Sequence, residues 1–262
     1  GTAFDALAAT DKTVGAYAGA AALNFISGSG SSGATIGGAA AINRGTWLNT
    51  SHLEGITIAE GTGLVNNRSL VDGTTVAEGL GLAVTKSGKL SASIDLGLSL
   101  NRVTNTVSAE TDGLTMAEYA TAKNFSQTAW SGETQVTGGT GIGVAAGTNS
   151  FAVGAAVALA EIDNTVSAVL DNSRFTRMDS VTSEALGSLT QVNHAVGVQV
   201  AQGSGFSAAL NGSFIGADLT NSFTSSTTGT TIALENEGTV NFTADTTDAD
   251  VVRKAGSVRG ID

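Results

Sequence analysis

The sequence contains no cysteine and no proline among its 262 residues. Without cysteine there are no disulfides to staple the fold, no thiolate chemistry and no cysteine-ligated zinc. The lack of proline fits a chain in which nearly every backbone N–H is needed as a ladder donor. Aromatic residues make up 5 % and there are two histidines, so stacking platforms and imidazole chemistry are scarce. Positive charge is thin too: 12 Lys and Arg stand against 23 Asp and Glu, a formal charge of −11. With no basic cluster, nucleic acid is excluded as a partner class, because phosphate neutralisation supplies most of that affinity. A polybasic membrane patch is excluded for the same reason. No apolar run reaches the length of a membrane span, and the opening Gly1–Phe4 shows no secretory leader. The chain therefore reads as a segment of something longer.

What is present is glycine (35 residues), small aliphatics and repetition. Ala20-Ala21-Ala22-Leu23-Asn24 returns as Ala39-Ala40-Ala41-Ile42-Asn43, 19 residues on. Glu54-Gly55-Ile56-Thr57-Ile58-Ala59-Glu60 returns as Asp112-Gly113-Leu114-Thr115-Met116-Ala117-Glu118, and Asn43-Arg44 as Asn101-Arg102, both at 58. Asn105-Thr106-Val107-Ser108-Ala109 recurs unchanged at Asn164–Ala168, a spacing of 59. A fourth block around Ser207–Asn211 follows less regularly, at 51 if Asn211 is set against Ala160. Fixed periods of this kind mean stacked units that bury their faces on one another.

Aliphatic residues alternate with small or polar ones in Ser93–Leu100, Gly79–Val84, Gly141–Val144, Ala155–Leu159 and Val196–Val200, which is strand periodicity. Glycines in these stretches are expected outward, making a smooth outer face. Turns are expected at Ser27–Gly33, Val65–Asn67, Val71–Gly73 and Thr137–Gly141. Only Ala117–Lys123 and Ser183–Leu186 read as short helices. The expected fold is all-β: a right-handed parallel β-helix (β-solenoid) with roughly 19-residue coils grouped in roughly 58-residue blocks. About 13 to 14 coils at ~4.8 Å each would form a rod on the order of 65 Å long. Residues 1–262 form one solenoid, with 235–262, rich in Asp and Thr, as a cap or irregular end.

Chemistry is sparse. His52 has Glu54 two residues away and His194 has no carboxylate nearby in sequence, so both read as ordinary surface or turn residues. Glycoside hydrolysis needs two carboxylates across a cleft. Glu161 with Asp163, and Asp245, Asp248 and Asp250, are the candidates, but Arg44, Arg102 and Arg174 are scattered and Trp47 and Trp130 are the only tryptophans. The run Gly138–Gly143 lacks the Asp of a calcium-binding nonapeptide and has no βαβ pattern around it. Irregularly placed Thr57, Thr115, Thr227 and Thr228 give no ice-binding array. No catalytic, cofactor or metal residue is assigned. Asn24, Asn43 and Asn101 are read as structural repeat asparagines, turn residues in left-handed geometry.

Leu98–Ala109 and Val157–Ala168 resemble the repeats of large Gram-negative filamentous-haemagglutinin-like and leukotoxin-like adhesins, over roughly residues 15–230. The resemblance implies an exported, non-catalytic β-helix on a bacterial cell-surface or secreted filament, and carries no catalytic residues with it. Expected partners are a host or neighbouring-cell receptor or glycan, and a second copy of the chain associated end to end. The competing readings are a glycan-degrading β-helix enzyme and a toxin or phage-fibre segment.

Overall fold

β-Branched and aliphatic residues at period two, uninterrupted by proline, let strands run far beyond ordinary length. The computed structural model describes residues 2–60, 62–117 and 123–261. Eight long strands dominate: β1 (Thr2–Phe25), β2 (Ser32–Glu54), β4 (Thr62–Lys86), β5 (Leu90–Asp112), β7 (Asn124–Ala146), β8 (Asn149–Asp171), β9 (Arg174–Gln202) and β10 (Ser207–Thr228). Two short strands, β3 (Thr57–Ile58) and β6 (Thr115–Met116), and a final β11 (Thr231–Ile261) complete the described elements, none of them a helix. The chain crosses back and forth between two parallel sheets. β1, β4, β7, β9 and β11 stack in the first, and β2, β5, β8 and β10 in the second. The protein is a parallel β-solenoid, and its coil is a pair of long strands.

The register identifies that coil. Asn43 pairs with Asn101 and Asn105 with Asn164, so the 58- and 59-residue echoes are each one turn of the chain. The 19-residue echo is not a coil. Ala20–Asn24 ends β1, whereas Ala39–Asn43 lies mid-way along β2 in the other sheet. A 23-residue strand passes straight through the distance in which a 19-residue coil would have to turn three times. The body is correspondingly a slab instead of a 65 Å rod of many coils. Its strands are roughly 75 Å long, while four stacked levels rise only about 20 Å. The fourth block is also regular, since Asn211 pairs with Gly154 and Ala217 with Ala160, a spacing of 57. Backbone from Glu235 onward continues in β11 along β9, with register shifts after Ile232, Leu234 and Thr246.

Several local expectations give way to this length. Val65–Asn67 and Val71–Gly73 lie inside β4, Thr137–Gly141 inside β7, and Ser183–Leu186 inside β9. Ala117–Lys123 falls largely outside the described residues. Real turns occur at Ser27–Ser31 and at a recurring corner after each second-sheet strand. There Gly55, Gly113, Asn172 and Gly229 occupy φ of 63°, 68°, 47° and 63°. Glycine takes this left-handed position without a Cβ clash, and asparagine is the residue that best substitutes for it.

Each strand buries one face along its whole length, but the aliphatic residues occupy that face in only one half of the slab. Near the corner, the aliphatics point inward: Val65, Leu114, Met116, Phe125, Leu170, Phe175, Met178 and Val181 form one cluster, with Phe125 and Phe175 rings 5.0 Å apart. Val71, Val107, Ala129, Val166 and Ala185 form the next. Further along each strand the aliphatics move to the outward positions while the buried positions keep their phase. In β5, Val103 and Val107 are buried, yet Ile94 and Leu96 are exposed and Ser93, Asp95, Gly97 and Ser99 face in. Gly79, Gly81, Gly97, Gly141 and Gly143 of this half therefore face inward, not outward. A Cβ on Gly79, Gly97 or Gly141 would overlap the backbone carbonyl of Leu98, Thr140 or Ala155 in the opposite sheet. The sheets approach so closely that glycine, alanine and small hydroxyls fill most inward positions, with Asp95 and Gln199 in gaps left by Gly81 and Gly154, and the aliphatic set is displaced outward.

Candidate functional site

The asparagines singled out by the repeat do not share one position. Asn43 and Asn101 are register partners, both buried inside the second sheet's strands. Asn24 pairs with Thr85 in the first sheet and donates to the Ala34 carbonyl at 3.2 Å. None sits in a turn; the asparagine in left-handed geometry is Asn172. Asn101 has a different task. Its amide donates to the Thr75 and Val136 carbonyls across the core, at 3.2 and 3.1 Å. Gln135 returns bonds to the Asn101 and Glu161 carbonyls at 2.9 and 3.1 Å, and Gln191 donates to Gln135 Oε1 at 2.7 Å and to the Asp218 carbonyl. These amides stitch the sheets together where no aliphatic core holds them.

A buried ion pair sits beside them. Lys12 lies across Gly73, the residue below it in register, and its ammonium reaches Glu133 one level further down at 2.9 Å. The same Nζ donates to Asn105 Oδ1 at 2.6 Å and lies 3.6 Å from the Trp47 ring centroid. Thr75 donates to the other Glu133 oxygen at 2.9 Å. Burial pulls the Lys12 ammonium below its ordinary pKa, while the hydrogen bond and charge of Glu133 pull it back up. A side chain at position 73 would close this path, so the glycine is what makes the pair reachable. No sequence motif announces it; only the alignment of Lys12 over Gly73 and Glu133 does.

Asp95 is a second buried acid. It stands in a niche left by Gly37 and Gly81, and accepts the Ile142 N–H at 2.8 Å. Desolvation raises its pKa against the lowering effect of the Ile142 and Leu96 N–H groups.

The residues considered for catalysis do not converge. Glu161 and Asp163 do point from the same face of β8, but Glu161 is paired with Arg102 at 3.0 Å. Asp245 is exposed, and the side chains of Asp248 and Asp250 lie outside the described residues. His52 sits on the surface 3.5 Å from Glu54 and 3.3 Å from Glu110. His194 lies over Gly138 in the first sheet. Trp47 covers Lys12 and Trp130 covers Gly132, each flat against its own strand. Among the described residues, no three His, Cys, Asp or Glu group as a metal site, and no helix is long and apolar enough to cross a membrane.

What the structure does assemble are outward ladders of like residues, one strand spacing apart. Toward the corner they are hydroxyl-rich: Thr106, Thr165 and Ser222 share a row, as do Thr13, Thr74, Thr134 and Thr190 on the other sheet. In the glycine-rich half of the second sheet five consecutive rows are apolar. Outward from β2 point Ala34, Ile36, Gly38, Ala40 and Ile42, and beneath them in register Ala92, Ile94, Leu96, Leu98 and Leu100 of β5. β8 continues with Phe151, Val153, Ala155, Val157 and Leu159, and β10 with Ala208, Leu210, Gly212, Phe214 and Gly216. Ile36 is 76 % and Phe214 58 % exposed. The next row, bordering this field, is charged and graded: Arg44, Arg102, Glu161, Asp218.

Fold and surface together define a two-sheet parallel β-solenoid whose ordered features are faces and ladders. No protein family model, curated protein or solved structure matches the chain.

Proposed function

We propose that this chain is a non-catalytic structural and adhesive element of a bacterial cell-surface or secreted filament. The observation that carries the reading is the pair of flat sheet faces with side chains repeated at strand spacing, which suits extended contact with a receptor or glycan. Outward hydroxyl rows such as Thr106–Thr165–Ser222 offer donors and acceptors in register. The long open edges of β1 and β2 at one end, and of β10 and β11 at the other, offer backbone groups to a further segment joined end to end.

The test is binding of the fluorescently labelled chain to bacterial and host cells and to a glycan panel. The expected result is saturable binding that falls at least tenfold when Thr106 and Thr165 are replaced by lysine, with the strand spectrum unchanged. Absence of saturable binding to any cell or glycan would remove the adhesive half of the proposal.

A further inference from the structure

The apolar field on the second sheet is too large and too uniform for an idle surface. It spans five outward rows across four strands without one polar side chain. Each position covers about 30 Å² of sheet, so the field is roughly 600 Å². Two such faces together exceed the ~1,000 Å² that a specific interface requires. Contiguous apolar area of this size on a soluble body marks a contact surface.

We infer that this face is the interface with a second copy of the chain, packed sheet to sheet about a twofold axis that runs along the strands. Such an axis keeps strand directions aligned, the arrangement in which sheets pack face to face. It also reverses the order of levels, setting β2 of one copy over β10 of the other and β5 over β8. The graded border row then becomes self-complementary. Arg44 faces Asp218 of the second copy, and the Arg102–Glu161 pair within each chain faces its reversed counterpart, so each contact is made twice, as in any isologous interface. Shape agrees with charge: Phe214 meets Ala40, and Gly216 meets Ile42. Any other in-plane axis sets this row away from its complement. A parallel stacking without reversal would place Arg44 on Arg44. The net charge of −11 opposes random association, so a charge-matched row fixes one orientation among the greasy alternatives.

This pairing stands independently of the adhesive reading, because it concerns the opposite half of the sheet. It also differs in outcome from end-to-end joining, since a twofold contact closes at two copies while edge addition continues without limit. The experiment is sedimentation velocity of the intact chain up to roughly 100 µM, where a micromolar interface is saturated. A closed dimer is expected. Leu96→Lys, which alters only an outward side chain, should weaken it by about a hundredfold or more by burying an unpaired charge. Arg44→Glu should weaken it by about tenfold, and Arg44→Glu with Asp218→Arg should restore it. Circular dichroism of each variant verifies the fold. A monomer at all concentrations, an open-ended series of oligomers, or a dimer indifferent to Leu96→Lys would overturn the inference. So would co-flotation of the monomer with phosphatidylcholine vesicles, since lipid would then be the occupant.

Discussion

Lys12 and Glu133 illustrate how a residue gains its role from its neighbours in the stack. Both are buried, and each is satisfied only by the other together with Asn105 and Thr75. Glu133→Ala should therefore cost about 3–5 kcal/mol by stranding the ammonium, while Lys12→Met with Glu133→Leu should be near neutral. Urea unfolding of the single and double variants measures the difference. Asp95 gives the pH counterpart. Its carboxyl pKa is raised in the fold, so the protonated form is the one the folded state favours. Its contribution is fullest below the unfolded value of 3.8 and is lost as pH rises through the raised folded value. Asp95→Asn should accordingly raise the unfolding midpoint at pH 7, with the gain shrinking toward pH 3. An equal gain at both pH values would show that burial of the charge is not the cause.

Each long strand carries two packing regimes, joined where its aliphatic residues pass from the inward to the outward positions, and substitutions should report which regime they enter. In the corner half, Phe125 packs on Phe175 in an ordinary aliphatic and aromatic core, and Phe125→Ala should cost about 3–5 kcal/mol. In the thin half, Gly97→Val should cost about 3 kcal/mol or more, because the new side chain meets the opposing backbone at Thr140 and no rotamer relieves it. Val198→Thr, outward on the first sheet at the same depth, should stay within about 0.5 kcal/mol. Denaturant titration of these three ranks the regimes directly. The usual intuition, that the valine site is core and the glycine site is surface, predicts the reverse order.

The molecule as a whole is a short stack of very wide levels, so its stability is a sum over neighbouring levels. Opening should begin at the terminal levels and spread inward. Hydrogen exchange is expected to be slowest in β5, β7 and β8 and fastest in the outer strands β1, β2 and β10, and peptide-resolved mass spectrometry would show it. Uniform protection across all levels would mean that the slab unfolds as one unit. Its thermodynamic cohesion then comes less from a shared hydrophobic centre than from ladders and amide stitches such as Gln135 and Asn101.

By itself the sequence determined the parallel stack and its register. Identity of Asn105–Ala109 with Asn164–Ala168 one coil later, and of Asn43-Arg44 with Asn101-Arg102, allows like residues to meet in only one alignment. The absence of proline left every strand free to extend. The sequence could not reveal which face of each strand is buried, because a period of two is symmetric between its phases and Ser93–Leu100 reads equally well either way. That was decided by the distance between the sheets. Where Gly79, Gly97 and Gly141 let the backbones close to carbonyl contact, no space remains for leucine, and the aliphatic rows turn outward to become the molecule's surface. The same closeness decided the true coil, since 23 residues can run straight between two flat sheets but not around a three-sided core.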